Sequence, residues 1–203
     1  TFCMVRYLAD GTLDTTFGTG GRVNQPRVST TATAYAAALQ PDGKIVMAGN
    51  CIVGLSATMC VARFLADGAL DSSFGTSAGW TLPDVTNGGD IAKAIALQSD
   101  GKILAAGQSA VLLGDAKFAL LRLNADGSAD TDFGNQGRVL TDFTAEDESA
   151  QSIALLPDGK IMVSGTHYYS NDDNEKVVVA KYNADGSADA TFGTDGKMML
   201  DDG

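Results

Sequence analysis

Short apolar segments alternate with short polar turns along the whole chain, and four such segments recur in a fixed order. We call them strands A to D. Strand A is a nearly unbroken run of small and aliphatic residues, at 34–40, 92–98 and 150–156. Such a run is typical of a strand buried on both faces. Strand B begins at a lysine and ends at a glycine, with its three copies starting at Lys44, Lys102 and Lys160. No sustained 3.6-residue period accompanies these segments, which excludes a helical repeat.

Strands C and D complete the repeating set. Strand C carries one basic residue within an apolar run, as in Cys60-Val-Ala-Arg-Phe-Leu, and that residue is expected to face solvent. Strand D follows a glycine, as in Gly137-Arg-Val-Leu. The near-constant spacing predicts one four-stranded antiparallel sheet in each full repeat, with strand A innermost. In those sheets we expect three phenylalanines to be buried, Phe74, Phe133 and Phe192.

Two repeated strings mark the turns of this pattern. The string D-G-x-x-D-x-x-F-G joins strands C and D, and its four copies are offset by 57, 59 and 59 residues. The string Pro/Ser-Asp-Gly-Lys-Ile joins strands A and B three times. It predicts a tight hairpin, because aspartate bonds its own backbone and glycine accepts a positive φ.

Four-stranded repeats of this kind form either a radial propeller or a linear solenoid. We favour the propeller, because strand A is the smallest and most apolar segment, as expected where strands converge on a central axis. The predicted fold class is all-β, a partial β-propeller of about 3.5 repeats. Its units are a half repeat at 1–24, holding strands C and D, and full repeats at 25–83, 84–141 and 142–203.

The two strings together resemble the delta-60 repeat, a bacterial repeat family assigned to β-propellers of unknown function. The resemblance is carried by Asp10, Gly11, Asp14, Phe17 and Gly18 with their three later equivalents, and by Asp42, Gly43 and Lys44 with their two. It implies a large secreted or surface-associated bacterial protein. It brings no established activity and no catalytic residues.

Paired aspartates in the C-to-D turns are the first candidate for chemistry. Two carboxylates four residues apart suggest acid/base catalysis or a metal loop. The pair occurs in all four copies, whereas an enzyme needs one site, and the spacing lacks the Glu at position 12 of an EF-hand. We therefore predict a structural capping role. The pairs are Asp10 and Asp14, Asp67 and Asp71, Asp126 and Asp130, and Asp185 and Asp189.

Loops that differ between the copies are the better place to expect a ligand. The B-to-C loops and D-to-A connections share no sequence, and in a blade both lie at the face opposite the repeated turns. We call this the divergent face. The third repeat supplies its most distinctive residues, the ligand candidates His167, Tyr168, Tyr169, Asp172, Asp173 and Glu175. Its D-to-A connection adds further carboxylates, Asp142, Glu146, Asp147 and Glu148.

These acidic residues have two interpretations. They form a calcium site or attract a cationic partner, or they are a solvated acidic rim. We favour the rim, and expect no cofactor and at most weak calcium binding. His167 with Asp172 resembles a catalytic pair, but no nucleophile accompanies them, so an exposed loop is favoured. Tyr168 and Tyr169 could stack a sugar.

Charge narrows the class of partner. The formal charge of −11 repels nucleic acid and anionic membranes, and no apolar run approaches the roughly 20 residues needed to span a bilayer. With one histidine and no hydrolase or phosphate-binding motif, catalytic and metal residues are not assigned. We expect a secreted or cell-surface binding or scaffold module for a protein or glycan. The alternative is a propeller hydrolase or lyase acting on an extracellular polymer such as a polysaccharide.

Cysteines bear on both compartment and completeness. Cys51 follows strand B and Cys60 opens strand C, so the two are predicted to face each other and to form a disulfide. A stable disulfide indicates an extracellular or periplasmic location. Cys3 occupies the position of Cys60 one repeat earlier, and we expect its partner to precede residue 1. The remaining blades are then expected to come from the same longer chain.

Overall fold

Each full repeat forms one four-stranded antiparallel sheet, and the half repeat forms a two-stranded one. The computed structural model describes residues 1–25, 31–83, 85–86, 88–110, 114–168 and 175–200, and this part contains strands and no helix. It therefore holds no helix that could cross a membrane. The strands are β1 (Phe2–Val5) and β2 (Arg22–Gln25); β3 (Ala32–Leu39), β4 (Ile45–Val53), β5 (Ser56–Phe64) and β6 (Trp80–Thr81); β7 (Asp90–Leu97), β8 (Ile103–Ala110), β9 (Ala116–Leu123) and β10 (Arg138–Thr141); β11 (Asp147–Leu155), β12 (Ile161–Tyr168), β13 (Glu175–Tyr182) and β14 (Lys197–Leu200).

Strand order within each sheet follows chain order, so strands that are consecutive in the chain are antiparallel neighbours in the sheet. Strand A contains a bulge at the same place in all three copies, the first lying between Ala34 and Ala36. The glycine that ends the apolar part of strand B lies beside this bulge. A Cβ on Gly49 would overlap the carbonyl group of Thr33, which explains why the position is glycine in each repeat.

Strand A is the inner strand, as predicted. β3 contacts β7, and β7 contacts β11, so the first strands of neighbouring sheets lie against each other. The expected burial on both faces fits only the middle copy, β7, which has no exposed residue. It is wrong for β3 and β11, whose residues are exposed on one side. In the described chain, a complete neighbouring sheet lies on only one side of each of these two strands.

The hydrophobic core lies between sheets. Three apolar clusters each join two consecutive repeats, for example Phe74 and Met59 of the first full repeat with Ile103 and Leu121 of the second. Phe74 and Phe133 are completely buried, as predicted. The prediction for Phe192 is wrong, because this ring is only half-buried.

The half-burial of Phe192 has a structural cause. In the earlier repeats the glycine of the next Ala-Asp-Gly turn packs on the ring, with Gly127 against Phe74 and Gly186 against Phe133. No such glycine follows Phe192 in the described chain.

An arginine of strand C connects each repeat to the next. In Arg63, Nε donates to Asp71 at 2.8 Å and Nη1 donates to the carbonyl oxygen of Ala125 at 2.6 Å, while the guanidinium carbon lies 4.6 Å from the ring centre of Phe74. Arg6 and Arg122 make the same three contacts one repeat before and one repeat after. The expectation that this basic residue faces solvent is therefore wrong for Arg63 and Arg122, each 7% exposed. The aspartate and the carbonyl group satisfy the guanidinium donors, so the charge can be buried.

A backbone hydrogen bond completes this contact. The amide of the Phe-Gly glycine donates to the carbonyl oxygen of the next repeat's turn aspartate, at 2.7 Å from Gly18 to Asp67 and 2.7 Å from Gly75 to Asp126. Gly134 donates in the same way to the following turn. We call the arginine, phenylalanine and glycine of one repeat, with the Ala-Asp-Gly turn of the next, the inter-repeat joint.

A disulfide joins Cys51 and Cys60, as predicted, with the Cα atoms 5.8 Å apart and both residues fully buried. The two are diagonal neighbours and do not face each other directly, because Cys51 lies opposite Thr58 and Cys60 opposite Gly49. Cys3 is exposed and carries a free thiol.

Loss of the disulfide should lower stability. We expect Cys51→Ala with Cys60→Ala to reduce the free energy of unfolding by about 2 to 3 kcal/mol, because the unfolded chain then loses a closed loop. Urea unfolding of the oxidised protein measures this change. Cys3→Ala is the matched control and should leave the midpoint unchanged, and equal midpoints for all three proteins would contradict the prediction.

Loss of the strand C arginine from one joint should lower stability more than loss of the disulfide. Arg122→Leu removes a buried cation that Asp130 and the next repeat both contact, so we expect a loss of about 3 kcal/mol in the free energy of unfolding. Arg22→Leu replaces an exposed arginine of β2 and should cost less than about 0.5 kcal/mol. Denaturant titration compares the two variants, and similar losses would argue against a special role for the joint.

Candidate functional site on the divergent face

Strands B and C extend further toward the divergent face than the sequence pattern predicted. In the third repeat β12 continues to Tyr168 and β13 begins at Glu175. Tyr168 lies opposite both Asp147 and Glu175 in the sheet. Of the six ligand candidates, His167, Tyr168 and Glu175 therefore lie on strands. The other three, Tyr169, Asp172 and Asp173, lie outside the described residues.

His167 does not lie in an exposed loop, so that interpretation is wrong. Every second residue of β12 is buried, from Ile161 through Val163 and Gly165 to His167. These positions face the second full repeat, since a Cβ on Gly165 would meet the ring of Phe118. The alternation of the strand therefore places the imidazole inside the interface between two sheets.

Glu148 is the partner of His167 across β11 and β12. Its Oε1 lies 3.4 Å from Nδ1 of the imidazole and accepts a hydrogen bond from the Thr144 amide at 3.1 Å. Both side chains are fully buried. Burial raises the pKa of Glu148 to about 7 and lowers the pKa of His167. Burial thus favours the neutral form of both groups. The prediction that Glu148 belongs to a solvated acidic rim is therefore wrong.

Three buried oxygens near this pair make no hydrogen bond within the described residues. They are Oε2 of Glu148, Oγ of Ser149 and Oγ1 of Thr166. The third repeat therefore concentrates polar groups whose hydrogen-bonding capacity is not used by the described chain.

Asp90 holds the equivalent position in the second repeat. Its carboxylate accepts hydrogen bonds from the amides of Val85 and Thr86, at 3.1 and 3.3 Å, and from the hydroxyl of Ser109. Burial raises the pKa of Asp90 although these hydrogen bonds oppose the shift. The carboxylate thus holds the preceding D-to-A connection against the start of β7.

The pair of facing residues at this position of strands A and B differs in chemistry from one repeat to the next. Asp90 lies opposite Ser109, and Glu148 lies opposite His167. In the first repeat Ala32 lies opposite Cys51, whose sulfur is in the disulfide. The sequence analysis missed this relation. The signal was present, because the position two residues before the shared alanine of strand A is Ala in the first repeat, Asp in the second and Glu in the third.

Two other carboxylates of the predicted rim, Asp142 and Asp147, have partners. Asp142 forms an ion pair with Lys117, and Asp147 accepts a hydrogen bond from the Ala116 amide at 2.6 Å. Among the described residues no group of three potential metal ligands comes together. At most weak calcium binding stays a prediction, since Asp172 and Asp173 are outside that comparison.

A cavity of about 410 Å³ lies on the same face between the first two full repeats. The β4–β5 hairpin forms one wall and the connection before β7 forms the other. Thr58 links the two walls by donating to the carbonyl oxygen of Pro83 at 3.2 Å. Hydroxyl and apolar groups line it together, namely Val53, Ser56, Thr58, Leu82, Thr86 and Gly88.

The repeated aspartates lie at the opposite end of the sheets, and their own turns occupy them. The first of each pair accepts from the backbone amide two residues later, as Asp126 does from Ser128 at 2.9 Å. In the three full repeats the second also contacts the strand C cation and the lysine that begins strand B, as Asp71 does with Arg63 and Lys44. Burial opposes ionisation of Asp71, but hydrogen bonds from Ser73, Lys44 and Arg63 outweigh it and hold the pKa below its usual range. Structural capping remains our interpretation of these turns.

A family model described as a β-propeller domain of unknown function, DUF5122, matches four stretches of the chain, 1–17, 40–74, 98–133 and 156–192. Together they cover more than half of it. The repeat predicted from the two strings is thereby confirmed. Each of the last three stretches runs from the A-to-B turn to the phenylalanine of the C-to-D turn, and leaves out strand D, the D-to-A connection and strand A. No protein with a curated description matches the chain.

The Glu148 carboxyl should make stability depend on pH. Because its folded-state pKa is raised, its contribution is fully present below pH 4.5 and is lost as the pH rises toward 7. The free energy of unfolding of the unmodified chain relative to Glu148→Gln should therefore fall by up to about 3 kcal/mol across that window. The lowered pKa of His167 acts in the opposite direction as the pH falls below 6.5 in both proteins, so comparing the two removes the part of it that does not depend on contact with Glu148.

Urea unfolding at a series of pH values measures this difference. Glu175→Gln, which replaces an exposed carboxylate, is the matched control. A difference between the unmodified chain and Glu148→Gln that stays constant from pH 4.5 to 7 would contradict the prediction.

Proposed function

The chain belongs to the DUF5122 β-propeller family, and we propose that its propeller is a binding and scaffold module whose ligand is held on the divergent face. The observation that carries this proposal is that the repeated charged groups and the features that occur once lie at opposite ends of the sheets. Charged groups repeated in every copy are engaged in the joints and turns. Features that occur once, including the cavity beside Ser56, lie at the other end of the sheets.

The cavity supports a ligand that is neutral or cationic. Its walls carry hydroxyl and apolar groups, and the chain as a whole is strongly acidic. Leu55 at the tip of the β4–β5 hairpin is fully exposed beside it. A glycan or a protein segment matches this mixture, since such sites combine apolar contact with a few placed hydrogen-bonding groups. We expect a secreted or cell-surface location, because the Cys51–Cys60 disulfide persists in oxidising compartments.

The alternative function is hydrolysis or elimination on an extracellular polymer. One observation favours it, since Glu148 has a pKa of about 7 beside His167, and such a carboxyl can exchange a proton at neutral pH. Against it, both side chains are 0% exposed and cannot contact a substrate unless the sheets separate. Release of reducing ends from a polysaccharide, abolished by Glu148→Gln, would support this alternative over the binding module.

Blocking the cavity tests the binding proposal. Ser56→Trp places a large ring at the cavity mouth and should weaken binding to neutral oligosaccharides or to a cationic peptide library at least about tenfold. Ser72→Trp makes the same change at an exposed position among the repeated turns and should leave binding unchanged. Immobilised-ligand arrays compare the variants. Equal losses in both, or loss in Ser72→Trp alone, would place the ligand elsewhere and contradict the proposal.

A further inference from the structure

Two threonine hydroxyls in the cavity beside Ser56 already donate their only hydrogen within the protein. Thr58 Oγ1 donates to the carbonyl oxygen of Pro83 at 3.2 Å, and Thr86 Oγ1 donates to the carbonyl oxygen of Ala110 at 2.7 Å. The direction of both bonds is fixed, because a carbonyl oxygen can only accept. In any hydrogen bond between a ligand and either hydroxyl, the ligand must therefore be the donor.

Backbone donors of the wall before β7 are engaged as well. The amides of Val85 and Thr86 donate to the Asp90 carboxylate at 3.1 and 3.3 Å, and the Gly88 amide donates to Thr86 Oγ1 at 3.3 Å. These three amides thus donate within the protein and not into the cavity. Ser56 is exposed at the mouth, and its hydroxyl can either donate or accept.

No basic side chain belongs to the described residues that line the cavity. The two segments that form its walls, 50–59 and 82–92, contain no lysine or arginine, and the second contains two aspartates. Arg138 donates to the carbonyl oxygen of Val85 at 3.2 Å, but it is not one of the lining residues. Together with the net charge of −11, this composition favours a cation over an anion in the cavity.

Both walls of the cavity are held in place by other parts of the structure. The Cys51–Cys60 disulfide closes the hairpin that forms one wall, and the Asp90 carboxylate holds the connection that forms the other. The bond from Thr58 to Pro83 joins the two walls. A site that is ordered before binding loses less conformational entropy when a ligand enters.

Apolar surface lies next to these polar groups. Val53 and Leu82 line the cavity, and Leu55 at the tip of the β4–β5 hairpin is fully exposed. Lysine and arginine side chains cover apolar surface with their methylene stems while the charged end contacts polar groups. The cavity of about 410 Å³ also lies within the usual range for sites that enclose a small group.

We propose that the cavity beside Ser56 binds a lysine or arginine side chain of a partner protein, with the stem against Val53 and Leu82 and the cationic end donating to the hydroxyl oxygens. This inference rests on the proposed function, because it names the ligand of the same site. An ammonium or guanidinium group has donors and no acceptor, which suits walls whose donors are engaged. Sugar hydroxyls both donate and accept, so a neutral glycan would leave acceptors unpaired there.

Peptide titration tests the class of ligand. The probes are the capped peptide Gly-Leu-Lys-Leu-Gly, the same peptide with acetyl-lysine or with glutamate in place of lysine, and maltohexaose as a neutral oligosaccharide. NMR of the ¹⁵N-labelled chain gives the dissociation constant and shows whether the amide signals of Ser56 to Thr58 shift. We expect the lysine peptide to bind at least about fivefold more tightly than the acetyl-lysine peptide, because acetylation removes the charge and keeps the stem.

A charge exchange at the cavity mouth shows where the peptide binds. Ser56→Lys adds an ammonium group at an exposed position and should weaken binding of the lysine peptide about tenfold, whereas the glutamate peptide should bind more tightly than it does to the unmodified chain. Ser72→Lys changes the net charge equally at an exposed position among the repeated turns. Its effect on either peptide should stay below about twofold, because salt screens distant charges.

Several results would overturn this choice of ligand. Equal binding of the lysine and acetyl-lysine peptides would show that the cation is not recognised, and equal losses in Ser56→Lys and Ser72→Lys would show attraction by net charge alone. Binding of maltohexaose and not of the lysine peptide, lost in Ser56→Trp and kept in Ser72→Trp, would reject the cationic ligand and leave the proposed binding site in place. If none of these probes binds, the inference is wrong, and the ligand arrays decide the proposed function separately.

Discussion

The buried guanidinium of strand C is the interaction on which the arrangement of the sheets depends. Apolar layers join the repeats, but apolar contact is non-directional and permits sheets to slide. Arg63 and Arg122 fix the relation, because each bonds an aspartate of its own repeat and a carbonyl oxygen of the next. Each guanidinium also covers the phenylalanine beneath it. The third repeat has Lys181 there, whose Nζ lies 5.9 Å from the centre of the Phe192 ring.

This use of charge explains why the repeated turns are poor candidates for a ligand. Asp71 pairs with both Lys44 and Arg63 within one blade, so these charged groups of the repeated strings are already engaged. At the other end of the sheets, the paired positions of strands A and B differ between repeats. They hold a disulfide cysteine in the first repeat, Asp90 in the second, and Glu148 with His167 in the third. Those positions are under no common requirement, and so the divergent face is free to carry a function.

Sequence reasoning predicted what the period and the turn chemistry determine: the four-stranded sheets, the hairpins, the buried Phe74 and Phe133, and the Cys51–Cys60 disulfide. It was wrong where burial depends on a neighbouring sheet. An arginine in an apolar strand looks solvent-facing until its carbonyl partner, about one repeat away, is known. His167 and Glu148 were placed in exposed segments for the same reason, since only the packing of β12 against the second repeat shows that they are enclosed.

Hydrogen exchange at the Phe-Gly glycines tests the joint most directly. The amides of Gly18, Gly75 and Gly134 each donate across a joint, whereas Gly193 makes no such bond in the described chain. If the joints hold the sheets together, the first three amides should exchange slowly and together, and Gly193 should exchange quickly. A Gly134 amide that exchanges as quickly as that of Gly193 would contradict the account.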